Sequence, residues 1–174
     1  MPGTVRRLVL LRHAKAEHAG GADELRRLTS LGVRQAGGVG AALRTTGLVP
    51  ERVLVSSALR TQETWSYVAA ALGDAPEPEV VLSDALYGAH PLEVVDHVKA
   101  TDARVRSLLV VGHEPAMSGA ATHLAGSGSA AHLAQVRAGL STGSYAVLEV
   151  VGPWADLEPM GARLVDVVRP AWRD

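Results

Sequence analysis

The amino-acid sequence predicts an α/β protein, a three-layer α/β/α sandwich with a mostly parallel central sheet. Short apolar runs rich in β-branched residues recur along the chain, and helical patterns lie between them, which is typical of this fold class. Several runs are continuous rather than alternating, as expected for strands that are covered on both faces. The predicted strands span residues 8–11, 52–55, 80–82, 108–111, 146–151 and 164–168.

Capping and breaking residues delimit the first two predicted helices. Thr29 can cap a helix that runs to about Thr46 and ends at Gly47. The four glycines within this helix lower its intrinsic stability, so we expect it to pack closely against a neighbour. A second helix is predicted over residues 58–72, where apolar side chains form one stripe and a glycine follows.

Prolines and loops complete the predicted organisation. Pro91 and Pro115 are each predicted in the first turn of a helix. Residues 74–79 are predicted as a turn and residues 126–129 as a flexible loop. Neither segment resembles a domain boundary and the chain contains no repeat, so we expect residues 1–174 to form a single domain.

The composition limits the function classes that fit. The chain has 174 residues, 47% of them apolar, which suffices for a full core. The net charge of −1 and the dispersed basic residues give no electrostatic footprint for nucleic acid or an anionic membrane. Cysteine is absent, which excludes disulfides and cysteine-based metal sites, and no segment is long enough to span a bilayer. A cytoplasmic location is the default expectation.

Two of the predicted strands are followed by histidine. Arg12 and His13 come after the run at residues 8–11, and His113 comes after the run at residues 108–111. Open α/β sheets bind ligands at this edge. Neutral imidazole is a good nucleophile near pH 7, and the guanidinium group matches phosphate oxygens in bidentate fashion. The pattern therefore favours phosphate chemistry.

Three motifs in chain order carry a family resemblance. They are Leu-Arg-His-Ala at residues 11–14, Ser-Ser-Ala-Leu-Arg-Thr-Gln-Glu-Thr at residues 56–64 and Val-Gly-His-Glu-Pro at residues 111–115. Together they resemble the histidine phosphatase (phosphoglycerate mutase-like) superfamily. Arg-Leu-Thr at residues 27–29 and Leu-Tyr-Gly at residues 86–88 are most similar to the short bacterial branch that includes the SixA phosphohistidine phosphatases. The resemblance implies a phosphoglycerate mutase-like fold.

The resemblance also implies a role for each motif residue. His13 would be the nucleophile that becomes phosphohistidine, and Arg12 and Arg60 would bind the phosphoryl oxygens. His113, as an imidazolium or a hydrogen-bond donor, would complete the pocket and stabilise the transition state. Many family members carry an acidic proton donor, and Asp84, four residues before Gly88, is the nearest counterpart. No metal and no cofactor are expected, because the arginine and histidine side chains supply the positive charge.

These observations favour a metal-independent phosphatase that hydrolyses a phosphohistidine or a small phosphomonoester. A mutase that moves phosphate between hydroxyl groups could use the same residues, although no inserted segment is available to close the site. A non-catalytic phosphate-binding or partner-binding module is the third alternative, and the nucleophile His13 argues against it because binding needs only the cations. The expected partner is a phosphorylated protein or small molecule, and the sequence leaves the oligomeric state open.

Overall fold

The computed structural model describes residues 3–18 and 20–172. Within them, seven strands form one sheet in the order β3-β2-β4-β1-β6-β7-β5. Neighbouring strands run parallel except on the two sides of β6, so the sheet is mixed but mostly parallel, as predicted. The strands are β1 (Val5–Arg12), β2 (Arg52–Ser56), β3 (Glu79–Ser83), β4 (Ser107–Gly112), β5 (Ala125–Gly128), β6 (Tyr145–Val151) and β7 (Ala162–Val168).

Helices cover both faces of the sheet and make the three predicted layers. On one face, α1 and α2 contribute to one apolar core, and on the other face α3, α4 and α5 contribute to a second. The helices are α1 (Ser30–Thr45), α2 (Leu59–Ala71), α3 (Pro91–Lys99), α4 (Ala116–Leu124) and α5 (Ala130–Ala138). No helix in residues 3–18 and 20–172 is long and apolar enough to cross a membrane.

The central strand β1 explains why its apolar run is continuous. Leu8 and Leu10 belong to the core under α3 to α5, whereas Val9 and Leu11 belong to the core under α1 and α2. Successive side chains of a strand point to opposite faces, so a strand that is buried on both sides needs an apolar residue at every position. The neighbouring strand β4 follows the same rule.

The first helix confirms its predicted limits and its predicted close packing. The side chain of Thr29 accepts a hydrogen bond from the Gly32 N–H and caps α1, and the chain turns at Gly47 with φ +70°. Helices α1 and α2 meet at Gly40, where an added Cβ would lie 2.4 Å from the carbonyl oxygen of Val68. Only glycine fits this contact, which explains why a residue of low helix propensity stands in the interior of α1.

Two local elements of the structure differ from the predictions. The sequence predicts a loop at residues 126–129, but Ala125–Gly128 form the edge strand β5 beside β7. An added Cβ at Gly126 would lie 1.9 Å from the Met160 carbonyl oxygen. The close approach of these two backbone segments therefore requires glycine, although glycine has a low strand propensity. Helix α5 was not predicted, because only Val136 of its residues is buried and the sequence lacks an apolar stripe.

Pro91 lies where the sequence predicts it, whereas Pro115 and strand β3 differ from their predictions. Pro91 begins α3 as predicted, whereas Pro115 lies one residue before α4 and follows a cis peptide bond. Strand β3 is an edge strand, and its residues from Glu79 to Leu82 are exposed rather than covered on both faces.

Candidate active site

The carboxyl ends of three adjacent strands bring the predicted site residues together. His13 follows β1, Ser56 ends β2 and His113 follows β4, while Arg60 lies in the first turn of α2. The rings of His13 and His113 lie 5.4 Å apart between centroids. Arg12, the last residue of β1, completes the group, and its charge acts on both imidazoles.

Backbone hydrogen bonds hold His13 on both sides. Its N–H donates to the carbonyl oxygen of Gly112 at 3.0 Å, and its carbonyl oxygen accepts from the N–H of Gly143 at 3.1 Å. In the side chain, Nδ1 lies 2.7 Å from the carbonyl oxygen of Ala14. Because a carbonyl can only accept, Nδ1 carries the proton and donates it. Nε2 therefore carries no proton, and its lone pair can act as a nucleophile.

The environment of His13 keeps its imidazole neutral. The residue is 8% exposed. Burial lowers its pKa from 6.5 to about 3, the hydrogen bond to Ala14 opposes this shift, and the charges around it, among them Arg60 and Arg12, lower the pKa further. A neutral imidazole near pH 7 is the nucleophilic form of histidine.

The hydrogen bonds of His113 assign its tautomer as well. Arg60 donates from Nη2 to Nδ1 of His113 at 3.3 Å, so Nε2 carries the proton and donates to Ser56 Oγ at 2.7 Å. Burial, followed by the charge of Arg60, lowers the pKa of His113 to about 4. In the structure His113 is therefore a neutral imidazole, and its imidazolium form requires a bound anion to offset the nearby arginines.

The two arginines reach the site with part of their hydrogen-bonding capacity used. Arg12 donates from Nη1 to the carbonyl oxygen of Leu140 at 2.9 Å. Arg60 donates from Nη1 to the carbonyl oxygen of Asp23 at 2.9 Å and from Nη2 to Asp23 Oδ2 at 3.1 Å. The Nε atoms of both arginines are buried and have no partner among the described residues. The Nε of Arg6, which bonds Gly152 and Ala103 through its other two nitrogens, is likewise buried and without a partner among the described residues.

Two further residues at the site were not identified as functional from the sequence. The hydroxyl of Tyr87 donates to Asp23 Oδ2 at 2.5 Å, and the Tyr87 ring meets His113 edge to face with 5.8 Å between centroids. Asp23 lies in a 3₁₀ turn at Asp23–Leu25, inside a segment without any periodic pattern. Tyr87 belongs to the Leu-Tyr-Gly motif at residues 86–88, which is the sequence signal that could have identified it.

The proposed proton donor Asp84 does not join this group. It lies in the 3₁₀ turn Asp84–Leu86 and is exposed, and its carboxylate has no hydrogen bond or ion pair with any described residue. Its role as a proton donor stays a prediction. Within residues 3–18 and 20–172, no group of three or more histidine, aspartate or glutamate side chains is placed to hold a metal ion.

Polar side chains behind the site support its loops. Thr64 Oγ1 accepts from the N–H of Ala14 at 3.0 Å and donates to the carbonyl oxygen of Arg60 at 2.7 Å, which ties the residue after His13 to α2. Glu114 caps α4 by accepting from the N–H of Ser118 at 2.8 Å, and it also accepts from the N–H of Leu140 at 3.1 Å.

Comparisons with known proteins show which family and which folds this chain resembles. The model of the histidine phosphatase superfamily (branch 1) matches residues 8–91. An uncharacterised protein of Mycobacterium tuberculosis is 39% identical over 158 residues, which cover 89% of this chain and 96% of that protein. A structure from Nakamurella multipartitia, named as a candidate phosphohistidine phosphatase SixA, is 34% identical, with a TM-score of 0.84 and coverage of 98% of this chain and 99% of that one. A structure with the same designation from Agrobacterium tumefaciens is 26% identical, with a TM-score of 0.76 and the same coverage.

Proposed function

Because the chain belongs to the histidine phosphatase superfamily, we propose that it is a metal-independent phosphatase in which His13 carries the phosphoryl group. The observation that carries this proposal is the state of His13. Its Nδ1 proton is donated to Ala14, so the neutral ring presents Nε2 as a nucleophile among two arginines and a second histidine. A site that only binds phosphate does not need a buried neutral imidazole of this kind.

In the first step, the Nε2 lone pair of His13 attacks phosphorus. The Nε2–P bond forms as the bond from phosphorus to the leaving group breaks, and its electron pair passes to the leaving group. A phosphoimidazole that is protonated on its distal nitrogen releases neutral imidazole, whereas an ester releases an oxyanion that takes a proton from solvent. Arg12 and Arg60 donate to the equatorial oxygens, where charge is concentrated in the transition state. Throughout this step Nδ1 keeps its proton, and the bond to Ala14 stabilises the positive charge on the ring.

In the second step, water attacks the phosphorus of phospho-His13. The P–Nε2 bond breaks, its electron pair returns to Nε2, and inorganic phosphate leaves. His113 assists both steps: once phosphate charge is present, its Nδ1 can take up a proton and become a donor, because the bound anion offsets the effect of Arg60 on its pKa.

For the substrate class, we propose phosphohistidine in a protein. Support comes from the resemblance to the SixA branch and from the structures with that designation, at 34% and 26% identity. The chemistry also fits, since the imidazole leaving group can already carry a proton on its distal nitrogen and then needs no strong general acid. The carboxylate of Asp84, which has no hydrogen bond or ion pair with a described residue, is not required in this step.

The test compares wild type with His13→Asn and with His90→Asn, all assayed with chelator and no added metal. Asparagine at position 13 can still donate to Ala14 but has no nucleophilic nitrogen. His90 caps α3 by accepting from the Leu92 N–H, and asparagine is a good N-cap, so this variant is the matched control. The substrates are para-nitrophenyl phosphate and a histidine-phosphorylated phosphocarrier protein.

We expect wild type and His90→Asn to hydrolyse the phosphocarrier protein and His13→Asn to lose about 10³-fold or more of the rate. An acid-labile phosphoryl group should appear on wild type after a rapid quench and be absent from His13→Asn. Unchanged turnover in His13→Asn would overturn the nucleophile assignment. Hydrolysis of the aryl ester alone would keep the mechanism and reject phosphohistidine as the substrate.

A further inference from the structure

We infer that Asp23 is a specificity-determining residue that selects phosphorylated substrates whose leaving group presents an N–H donor or a positive charge. This inference rests on the proposed function, because it assigns the preference of that same site. The position of Asp23 beside Arg60 and the hydrogen bonds of its carboxylate carry the inference.

The burial of His13 and the exposure of Asp23 support a leaving group that departs toward Asp23. His13 is 8% exposed and forms the floor of the site, whereas the side chain of Asp23 is 48% exposed and lies beside Arg60. In phosphoryl transfer the attacking and leaving atoms lie roughly in line on opposite sides of phosphorus. When Nε2 of His13 attacks from the floor, the leaving group points outward, toward the rim where Asp23 and Tyr87 meet.

The carboxylate is held in place and still has accepting capacity. Its Oδ2 accepts from Tyr87 Oη at 2.5 Å and from Arg60 Nη2 at 3.1 Å, and its Oδ1 accepts from Arg26 Nη1 at 3.1 Å. A carboxylate offers about four lone-pair positions, so these three bonds leave one for a substrate. The hydrogen bonds from Tyr87 and then Arg26 lower the pKa of Asp23 to about 2, so it is charged near neutral pH.

A fixed negative charge in this position has opposite effects on two kinds of leaving group. With a phosphoimidazole, Asp23 can accept the N–H of the distal nitrogen and so favour the protonated substrate. The P–N bond then breaks with its electron pair passing to the ring nitrogen, and neutral imidazole departs without a further acid. A leaving group that bears a carboxylate is repelled instead, and an uncharged aryl group gains no hydrogen bond.

The experiment measures kcat/KM of wild type, Asp23→Asn and Glu24→Gln on N-phosphoimidazole and para-nitrophenyl phosphate. Glu24 is the matched control, since it is the exposed neighbour of Asp23 and its substitution removes the same charge from the same turn. The readout is the ratio of the two kcat/KM values, which a general loss of folded enzyme does not change. A third substrate, 4-carboxyphenyl phosphate, tests the repulsion.

In Asp23→Asn we expect the preference for N-phosphoimidazole over the aryl ester to fall about tenfold. This is the effect expected from the loss of one charge-assisted hydrogen bond at a half-exposed position. The carboxylated ester should improve relative to the uncarboxylated one. Glu24→Gln should keep both ratios. An unchanged ratio in Asp23→Asn, or an equal shift in Glu24→Gln, overturns the inference and leaves the phosphatase intact. If wild type hydrolyses none of the three, the proposed function fails, and the inference fails with it.

Discussion

The buried neutral state of His13 makes the stability of the protein depend on pH. The pKa of His13 is about 3 in the folded chain, against 6.5 for an ordinary histidine. As the pH falls below 6.5, the unfolded chain takes up a proton that the folded chain does not, so stability present above pH 6.5 is lost as the pH approaches 3. Each full pH unit in this window costs about 1.4 kcal/mol, which gives about 2 kcal/mol between pH 6.5 and 4.5 once the curved start of the titration is included.

The perturbation that isolates this effect is His13→Asn, because asparagine does not titrate and can still donate to the Ala14 carbonyl. Urea unfolding of both proteins at pH 7 and pH 4.5 gives the loss of stability for each. We expect wild type to lose about 2.5 kcal/mol more than His13→Asn between pH 7 and pH 4.5. Carboxylates and His113 also titrate, but they are present in both proteins and cancel to first order in the comparison.

A core truncation supplies the control. Val136 is 1% exposed, so Val136→Ala lowers stability at both pH values without removing a titrating group. It should therefore lose stability with pH as wild type does. Equal losses in wild type and His13→Asn would refute the reasoning, because His13 would then bind its proton alike in the folded and unfolded chains.

Two further substitutions test the polar support of the site by urea unfolding. Ser56→Ala leaves the Nε2 proton of His113 without its acceptor, so we expect a loss of about 1 to 3 kcal/mol, together with a lower kcat/KM; Ser57→Ala, whose hydroxyl has no hydrogen bond among the described residues, is the control. Thr64→Val keeps the shape but leaves the buried Ala14 N–H unpaired, and the expected loss is again about 1 to 3 kcal/mol. If either variant unfolds at the same urea concentration as wild type, the hydrogen bond that it removes does not stabilise the fold.

Residues that act through local chemistry could be predicted from the sequence. Thr29 and Gly47 delimit α1 as expected, because capping and left-handed turns depend on a few neighbouring residues. The predicted site residues His13 and Arg60 both contact His113, because each of the three follows the carboxyl end of a parallel strand. The position of each motif directly after a predicted strand therefore predicts that these residues meet.

Features that depend on distant contacts could not be predicted. Strand β5 consists of small residues of low strand propensity and exists because β7 supplies its partner. Asp23 enters the site because Arg60, 37 residues later, donates to it, and no pattern near Asp23 records that contact. The hydrogen bond between Tyr87 and Asp23 is of the same kind, since it joins residues 64 positions apart in the sequence.

The alternating burial of β1 has a consequence for the way the site responds to partial unfolding. Because Leu10 and Leu11 belong to opposite cores, neither helical layer can detach without exposing part of the strand that ends at His13. Local opening that spares the global fold is drawn from regions with few buried contacts, and β1 is not such a region. We therefore expect the amides of β1 to exchange hydrogen only through global unfolding, so that the nucleophile keeps its geometry until the whole domain unfolds.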